Sequence, residues 1–531
     1  MKIRFIAAAA VLVALMASCV KSNESGPTVS AVPEGIPTCV SFNFAVDNTT
    51  RADQGLVVAP TNETVAINSL RLLIFKNTPS STVCEFNKDV NLTTGQMDQS
   101  VMITSGIKKI FVVANVPTGS SLETALNNIS ENGSTLSAFY STLSKITLGT
   151  PGTQVYDISG LTGSPMVYSN MADVSSTYTL QPDITADQAK AGPTNKLSIS
   201  VKRLIAKGKV LYADNILVGG KVETDNHLGV LTALKYTIRS VRYNTYIFQQ
   251  FRGGSESTGT DATVLCPDDA ITAAQYKSDG VTPVDYSDYK PYFYSLANPT
   301  QAANPNGGGF TWPASSNLTN VSADAGAGAT PVYFFSENNN SIVRWGNSTF
   351  AVIQATYLPK TNGYVSATVY STVNKNFTSV SLGTSDIATA KDLYVLKVGT
   401  TGLDKGAIFA DATIAKNAAY SIAFPDKDAS DAGYAAWANN AAAWGEYLDY
   451  YPGGVCYYQL IFGKGDVSNQ TFIPGVLRNN FYKAVISKFA NIGASTETGG
   501  VDPWVPPFSY TYVYATIDVL GWNQIDSTMP L

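Results

Sequence analysis

Val40-Ser41-Phe42-Asn43-Phe44-Ala45-Val46 is the stretch on which the reading of this chain turns. Val40, Phe42, Phe44 and Val46 alternate with small or polar residues, the period of a half-buried β-strand. What flanks this strand gives it a fate. Upstream, Lys2 and Arg4 precede an apolar core, Phe5–Met16, and the small pair Ala17-Ser18 stands directly before Cys19. That is the layout of a bacterial signal peptide ending at a lipobox cysteine, so Cys19 is the expected lipidation site. Downstream, Arg51 sits in the polar, loop-like run Asn48-Thr49-Thr50-Arg51-Ala52-Asp53, and Lys21 is the only other basic residue between Cys19 and it. An isolated arginine in such a setting is a target for an arginine-specific protease cutting between Arg51 and Ala52. A chain that is exported, lipid-anchored and then cut so as to lose a strand is a candidate for assembly by strand replacement.

Composition narrows the classes. At 531 residues the chain exceeds one small core, and 42 glycines, 25 prolines, 29 tyrosines and only 14% charged residues suit an extracellular β-rich protein. A formal net charge of -5 with no Lys/Arg cluster argues against nucleic acid as a partner. After Met16 no apolar run approaches the roughly 20 residues of a spanning helix, so contact with the outer membrane is expected only through the precursor's lipid. Beyond Cys19 and Cys39, the scattered Cys84, Cys266 and Cys456 make no disulfide framework.

Past Arg51, β-type runs alternate with loops. Ile110-Phe111-Val112-Val113-Ala114 is continuous enough for a strand buried on both faces, and Ser121–Ile146 reads as helix broken at Asn132-Gly133. A division between two β blocks is expected near Gly219-Gly220, and Gly253–Gly328 reads as long surface loops. Tyr434, Trp437, Ala441, Trp444 and Leu448, at steps of three and four, form a helix face whose spacing favours burial over a sugar platform. The expected organisation is a signal peptide over residues 1–18, a lipidated propeptide over 19–51 and β-domains over 52–219 and 220–500. A hinge and terminal strand follow over 501–531. In that last segment Val513, Ala515, Ile517 and Val519 alternate with Tyr514, Thr516 and Asp518, just before Trp522.

Catalytic chemistry finds little footing. The single histidine, His227, lies in Asp225-Asn226-His227 with no Gly-x-Ser-x-Gly elbow anywhere, so a solvated side chain is the expectation. Asp426, Asp428, Ser430, Asp431 and Gly433 depart from the calcium-loop pattern at the glycine and the closing glutamate, and read as an acidic turn. No Walker A or Gly-x-Gly-x-x-Gly sequence appears; no catalytic residue, metal or cofactor is expected. Lys464-Gly465-Asp466 is a tripeptide common by chance.

Several segments taken in order carry a family resemblance. The lipobox and later Arg51, Ile110-Phe111-Val112-Val113-Ala114-Asn115-Val116-Pro117, Lys202-Arg203-Leu204-Ile205-Ala206-Lys207, Val455-Cys456-Tyr457-Tyr458, Val476-Leu477-Arg478-Asn479-Asn480-Phe481-Tyr482 and Ala515-Thr516-Ile517-Asp518-Val519-Leu520-Gly521-Trp522 together resemble Bacteroidales fimbrilins, the type V pilins. Within the family the pattern sits nearest the shaft subunits of the short (minor) fimbriae of Porphyromonas. Gly521 stands where a proline often precedes the tryptophan. The resemblance implies a mainly β fold with two β-sandwich-like (transthyretin-like) domains, a few short helices and a C-terminal donor strand. It also implies a fimbrium on the cell surface, built as a homopolymer with accessory, tip and anchor fimbrilins, that supports adhesion to host or bacterial receptors and biofilm formation. Losing Val40–Val46 would open an apolar groove with unpaired edges, and the face Val513, Ala515, Ile517 and Val519 could fill it. Burying four such side chains contributes on the order of 6–10 kcal/mol before ordering costs. An accessory or tip fimbrilin is the nearest alternative, and a surface glycan-binding lipoprotein a more distant one.

Overall fold

A computed structural model describes residues 32–46, 67–79, 81–90, 92–93, 96–97, 100–143, 146–147, 167–170, 177–242, 244–251, 264–266, 280–281, 293–294, 319–323, 333–340, 344, 346–466, 473–496 and 513–521. The fold is mainly β, arranged in several sheets.

The first unit is built on one mixed sheet. Its longer strands are β1 (Pro37–Val46), β2 (Leu70–Lys76), β3 (Cys84–Val90), β4 (Val101–Thr104), β5 (Gly106–Ala114), β6 (Tyr168–Asn170), β7 (Tyr178–Leu180) and β8 (Lys196–Arg203), and the two-residue strands 92–93 and 96–97 extend it beyond β1, Gln96 lying opposite Asn43. The central order is β3-β2-β5-β6-β8-β1, with β4 paired to β1 and β7 to β5. The strand period divides the apolar residues of β5 between two cores. Phe111 and Val113 face α1 (Ser121–Asn127) and α2 (Leu136–Leu143), packing on Leu122, Leu126 and Phe139. Ile110, Val112 and Ala114 face the other way, against Val40, Phe42, Ile199 and Val201. A strand with both faces covered has no solvent side to encode, and its sequence is therefore continuous. The break between the helices falls where Asn132 takes φ 58°, a left-handed turn that asparagine tolerates.

Leu204 alone separates β8 from β9 (Ile205–Tyr212), yet the two strands belong to different sheets. The change of sheet comes here, ahead of the division expected at Gly219-Gly220. The second unit is a sandwich. One sheet places β9 beside the later strands 480–489 and 513–521; the facing sheet holds β10 (Gly229–Arg239) and β11 (Phe350–Pro359) beside Val455–Ile461. Their inner faces share a core that includes Val210, Ile238, Val352, Tyr458, Ala484 and Ala515. The units interlock: Ile247 and Phe248 enter the helix-side core of the first. Beneath them Arg478, ion-paired with Glu337 at 3.1 Å, donates to the carbonyls of Ile247 and Tyr246.

A third core was not anticipated. Between β11 and Val455–Ile461, which are ladder neighbours, the chain makes a separate five-stranded sheet of 365–371, 376–382, 393–396, 408–409 and 448–451. The helix α3 (Ala412–Ala423) packs Ala415, Ala418 and Ala419 on it, its first turn capped by Asp411. The helix face expected over Tyr434–Leu448 is two short helices, Tyr434–Ala438 and Ala441–Trp444, and Leu448 begins a strand. Asn440 interrupts by capping the second helix through Ala442 N–H. Trp437 and Trp444 pack against the core, in keeping with burial of that face.

Candidate assembly site

β1 is a central strand, and its partners change along its length. From Pro37 to Val40 it runs antiparallel to β4; from Ser41 to Val46 it runs parallel to β8, with Phe42 opposite Leu197 and Phe44 opposite Ile199. Val40 is 0% and Phe42 2% exposed. Phe44, half-buried, stacks on Phe42 with ring centroids 5.7 Å apart. The side chain of Val46 lies outside the described residues. The released strand expected from the sequence is therefore an integral core element of the first unit.

A short helix, Ala186–Ala191, holds the opposite edge of β1's first half. It starts with a capping box: Thr185 accepts from Gln188 N–H, and the Gln188 side chain accepts from Thr185 N–H at 2.9 Å. Asn195 follows, with φ 53°. Its Nδ2 donates to Thr38 Oγ1 at 2.9 Å, to the Cys39 carbonyl at 3.1 Å and to the Gln181 carbonyl at 2.9 Å. The Thr38 hydroxyl donates to the Gln181 carbonyl at 2.7 Å. Cys39 N–H donates to Ile184 O at 2.8 Å, Ser41 N–H to Asn195 O at 2.9 Å, and the Ser41 hydroxyl to Ala189 O. Thr38, Ser41 and Asn195 are all buried. Sequence reading passed over this seat, although Thr185-Ala186-Asp187-Gln188 carries its signal. At the entrance, beside Pro37, Lys108 Nζ and Glu85 Oε2 pair at 2.6 Å in a buried site, and Glu85 also takes Thr104 N–H. Burial pushes the Lys108 ammonium below the ordinary lysine range.

The terminal strand belongs to a different sheet from β1. Labelling β12 (Asn480–Phe489) and β13 (Val513–Gly521), the two pair antiparallel from Asn480 opposite Gly521 to Phe489 opposite Val513. On its other edge Ile517 lies opposite Gly465 and Thr516 opposite Asp466, so Lys464-Gly465-Asp466 is part of a sheet ladder. Ala515 is 1% exposed in the sandwich core. In this chain, then, the terminal strand completes its own sheet. The side chains of Val513, Ile517 and Val519 are outside the described residues, as are Cys19, Arg51, Ala52 and Trp522.

The remaining sequence candidates are turn and core residues. His227 is exposed at φ 58°, with Nδ1 2.8 Å from Glu223 Oε2; Lys360 pairs with the other oxygen at 2.7 Å. Those two hydrogen bonds hold the Glu223 carboxyl below its ordinary range. Asp428 accepts from Ser430, and Asp431 accepts from Gly433 N–H and the Tyr420 hydroxyl, each closing its own turn. Cys39, Cys84, Cys266 and Cys456 are buried, and none of them forms a disulfide among the described residues.

Residues 449–528, which contain β12 and β13, match the family described as major fimbrial subunit protein type IV, fimbrillin, C-terminal. The chain carries a fimbrillin C-terminal region. The match supports a fimbrial subunit role at the cell surface. Solved structures similar to this fimbrillin-bearing chain include a fimbrilin from Porphyromonas gingivalis W83, 14% identical, covering 92% of this chain and 98% of that one at a TM-score of 0.40. The tip fimbrial protein Mfa3 of Porphyromonas gingivalis, truncated at its C-terminus, is 11% identical, with 92% and 100% covered and a TM-score of 0.34. A fimbrial assembly protein from Parabacteroides distasonis ATCC 8503 is 11% identical, with 61% and 100% covered at 0.23. No curated protein matches the chain.

Proposed function

We infer that this chain is a shaft subunit of surface fimbriae, lipidated at Cys19 during export and cut after Arg51. The cut frees β1, and the chain polymerises as the terminal strand of one copy fills the groove β1 leaves in another. The observation that carries this reading is the place of β1. It is a buried central strand, and the segment joining it to β2 contains the one arginine whose cleavage would release it. Its loss would uncover Leu72, Ile110, Val112, Ile199 and Val201 together with the edges of β4 and β8, a surface too apolar to remain open in water. A tip subunit would need only to receive a strand, whereas this chain also carries one beyond Gly499-Gly500. Accessory and anchor fimbrilins, surface receptors and the processing protease are partners on this reading.

Arg51→Ala tests it. The variant should stay on the cell surface as lipidated monomer and yield few filaments by electron microscopy. Filaments of normal number and length would count against the cut as the trigger.

A further inference from the structure

The seat of β1 is selective about what can replace it. Side chains at positions 40, 42 and 44 of the strand face the core, Thr38 turns its hydroxyl to Gln181, Ile184 and Asn195, and those at 39, 41 and 43 lie on the other face. The outward positions differ in what lies beyond them. Cys39 is itself only 6% exposed but lies opposite Met102, which is 73% exposed, so a side chain long enough to pass it reaches the surface, and Asn43 is only half-buried. Position 41 has no such way out. Ser41 is buried under the helix 186–191, its hydroxyl on the Ala189 carbonyl and Ala189 itself fully buried above it. A replacing strand must bring a small side chain with a donor to that one point.

Alternating with Ala515, which is buried in its own core, the terminal strand carries Tyr514, Thr516, Asp518 and Leu520. Tyrosine and leucine overfill the position, and aspartate would set a carboxylate against the Ala189 carbonyl. Thr516 alone supplies a small hydroxyl. We propose that the helix 186–191 reads the incoming strand of a second copy, admitting it only with Thr516 in the place of Ser41. Running parallel to β8 as β1 does, the strand then sets Val513, Ala515, Ile517 and Val519 at the places of Thr38, Val40, Phe42 and Phe44. Tyr514 falls at Cys39, with its way to the surface, and Asp518 at half-buried Asn43. Valine at the place of Thr38 leaves Asn195 Nδ2 its two carbonyl partners, Gln181 and the main chain at position 39, which any strand supplies, and takes from Ile184 N–H the hydroxyl it donates to at 3.2 Å. A shift by two residues puts Tyr514 beneath Ala189. Reversal keeps Thr516 in place and sets the short Asp518 at position 39, where its carboxylate, unlike the tyrosine hydroxyl, stops short of the surface beside Met102. One register and one direction survive.

This proposal rests on strand replacement by the terminal strand, and disulfide trapping separates the two claims. The Arg51-cleaved full chain carrying Ile517→Cys would be mixed, in separate trials, with chains carrying Leu197→Cys, Ile199→Cys or Val101→Cys, and oxidised during assembly. The proposed register links position 517 of one copy to position 197 of another. Linkage of position 517 to position 199 would mean a two-residue shift one way, and linkage to position 101 a reversed strand or a two-residue shift the other way, and each overturns the proposal while leaving strand replacement standing. A single chain carrying both Ile517→Cys and Ala484→Cys reports the strand at home, since Ile517 lies opposite Ala484 within the subunit. Polymer with only that internal link would sink strand replacement itself. As a second readout, Thr516→Ser should assemble like wild type and Thr516→Tyr about ten- to a hundred-fold more slowly. Equal rates for the two, with both monomers folded by circular dichroism, would show that position 41 does not select.

Discussion

β1 and β13 are both seated between two neighbours and both reach a core, yet they are held differently. β1 divides its ladder, antiparallel to β4 and then parallel to β8, and adds side-chain bonds from Thr38 and Ser41 to a dedicated seat. β13 follows a single partner, β12, for nearly its whole length and meets Gly465 and Asp466 on the other side. A strand with fixed side-chain addresses is hard to replace by just any sequence. One held chiefly along a single antiparallel ladder can be exchanged between equivalent ladders at smaller cost. On the strand-replacement proposal, the contrast puts specificity in the seat that receives.

Deleting Tyr512–Leu531 should have the largest effect. Polymer disappears, because no strand remains to fill a neighbour. The monomer also loses stability, since β13 completes its own sheet and Ala515 sits in the sandwich core. SDS-resistant ladders and a urea melt read the two effects separately; ladders of normal length would show that another segment joins the subunits. Phe42→Ala should come next. In the uncleaved precursor it removes a buried ring and costs about 3–5 kcal/mol, whereas the cleaved chain, having lost β1, melts as wild type does. Equal destabilisation of both forms would mean that β1 stays bound after the cut.

Much of this arrangement was legible in the residues. The alternation of Val40–Val46 marked β1, the unbroken run Ile110–Ala114 marked a strand covered on both faces, and Asn132-Gly133 marked the break between helices. What stayed hidden depends on contacts between residues distant along the chain. No local pattern says that Leu204 is the point at which one strand run leaves one sheet for another, because β8 and β9 have the same strand period. Nor does any local signal say that Phe350–Pro359 and Val455–Ile461 pair across a separately cored unit. The Trp437 and Trp444 spacing suggested one helix because it satisfies a 3.6-residue period even though Asn440 restarts the turn. Ser41 looked like an ordinary small residue of an alternating strand; only the helix above it makes it an address.

Two smaller effects sharpen the contrast by lying outside both strands. Glu223 is held ionised by Lys360 first and His227 second, so its carboxyl titrates lower in the folded chain than in the unfolded one. Its contribution is present above the ordinary glutamate range and is lost as pH falls through the depressed folded value. Thermal melts of wild type and Glu223→Gln should therefore differ at neutral pH by under about 1 kcal/mol and converge in acid. A gap that widens in acid would contradict the pairing. His227→Ala should alter neither polymerisation nor neutral stability beyond about 0.5 kcal/mol, since its ring is exposed on a turn.

The most direct test is the N-terminus and intact mass of the subunit inside the polymer. Filaments sheared from cells would be dissociated and the chain sequenced from its first residue. A subunit assembled by strand replacement begins at Ala52, carries no lipid and lacks Pro37–Val46. A chain beginning at Cys19, still acylated and still carrying β1, would contradict it.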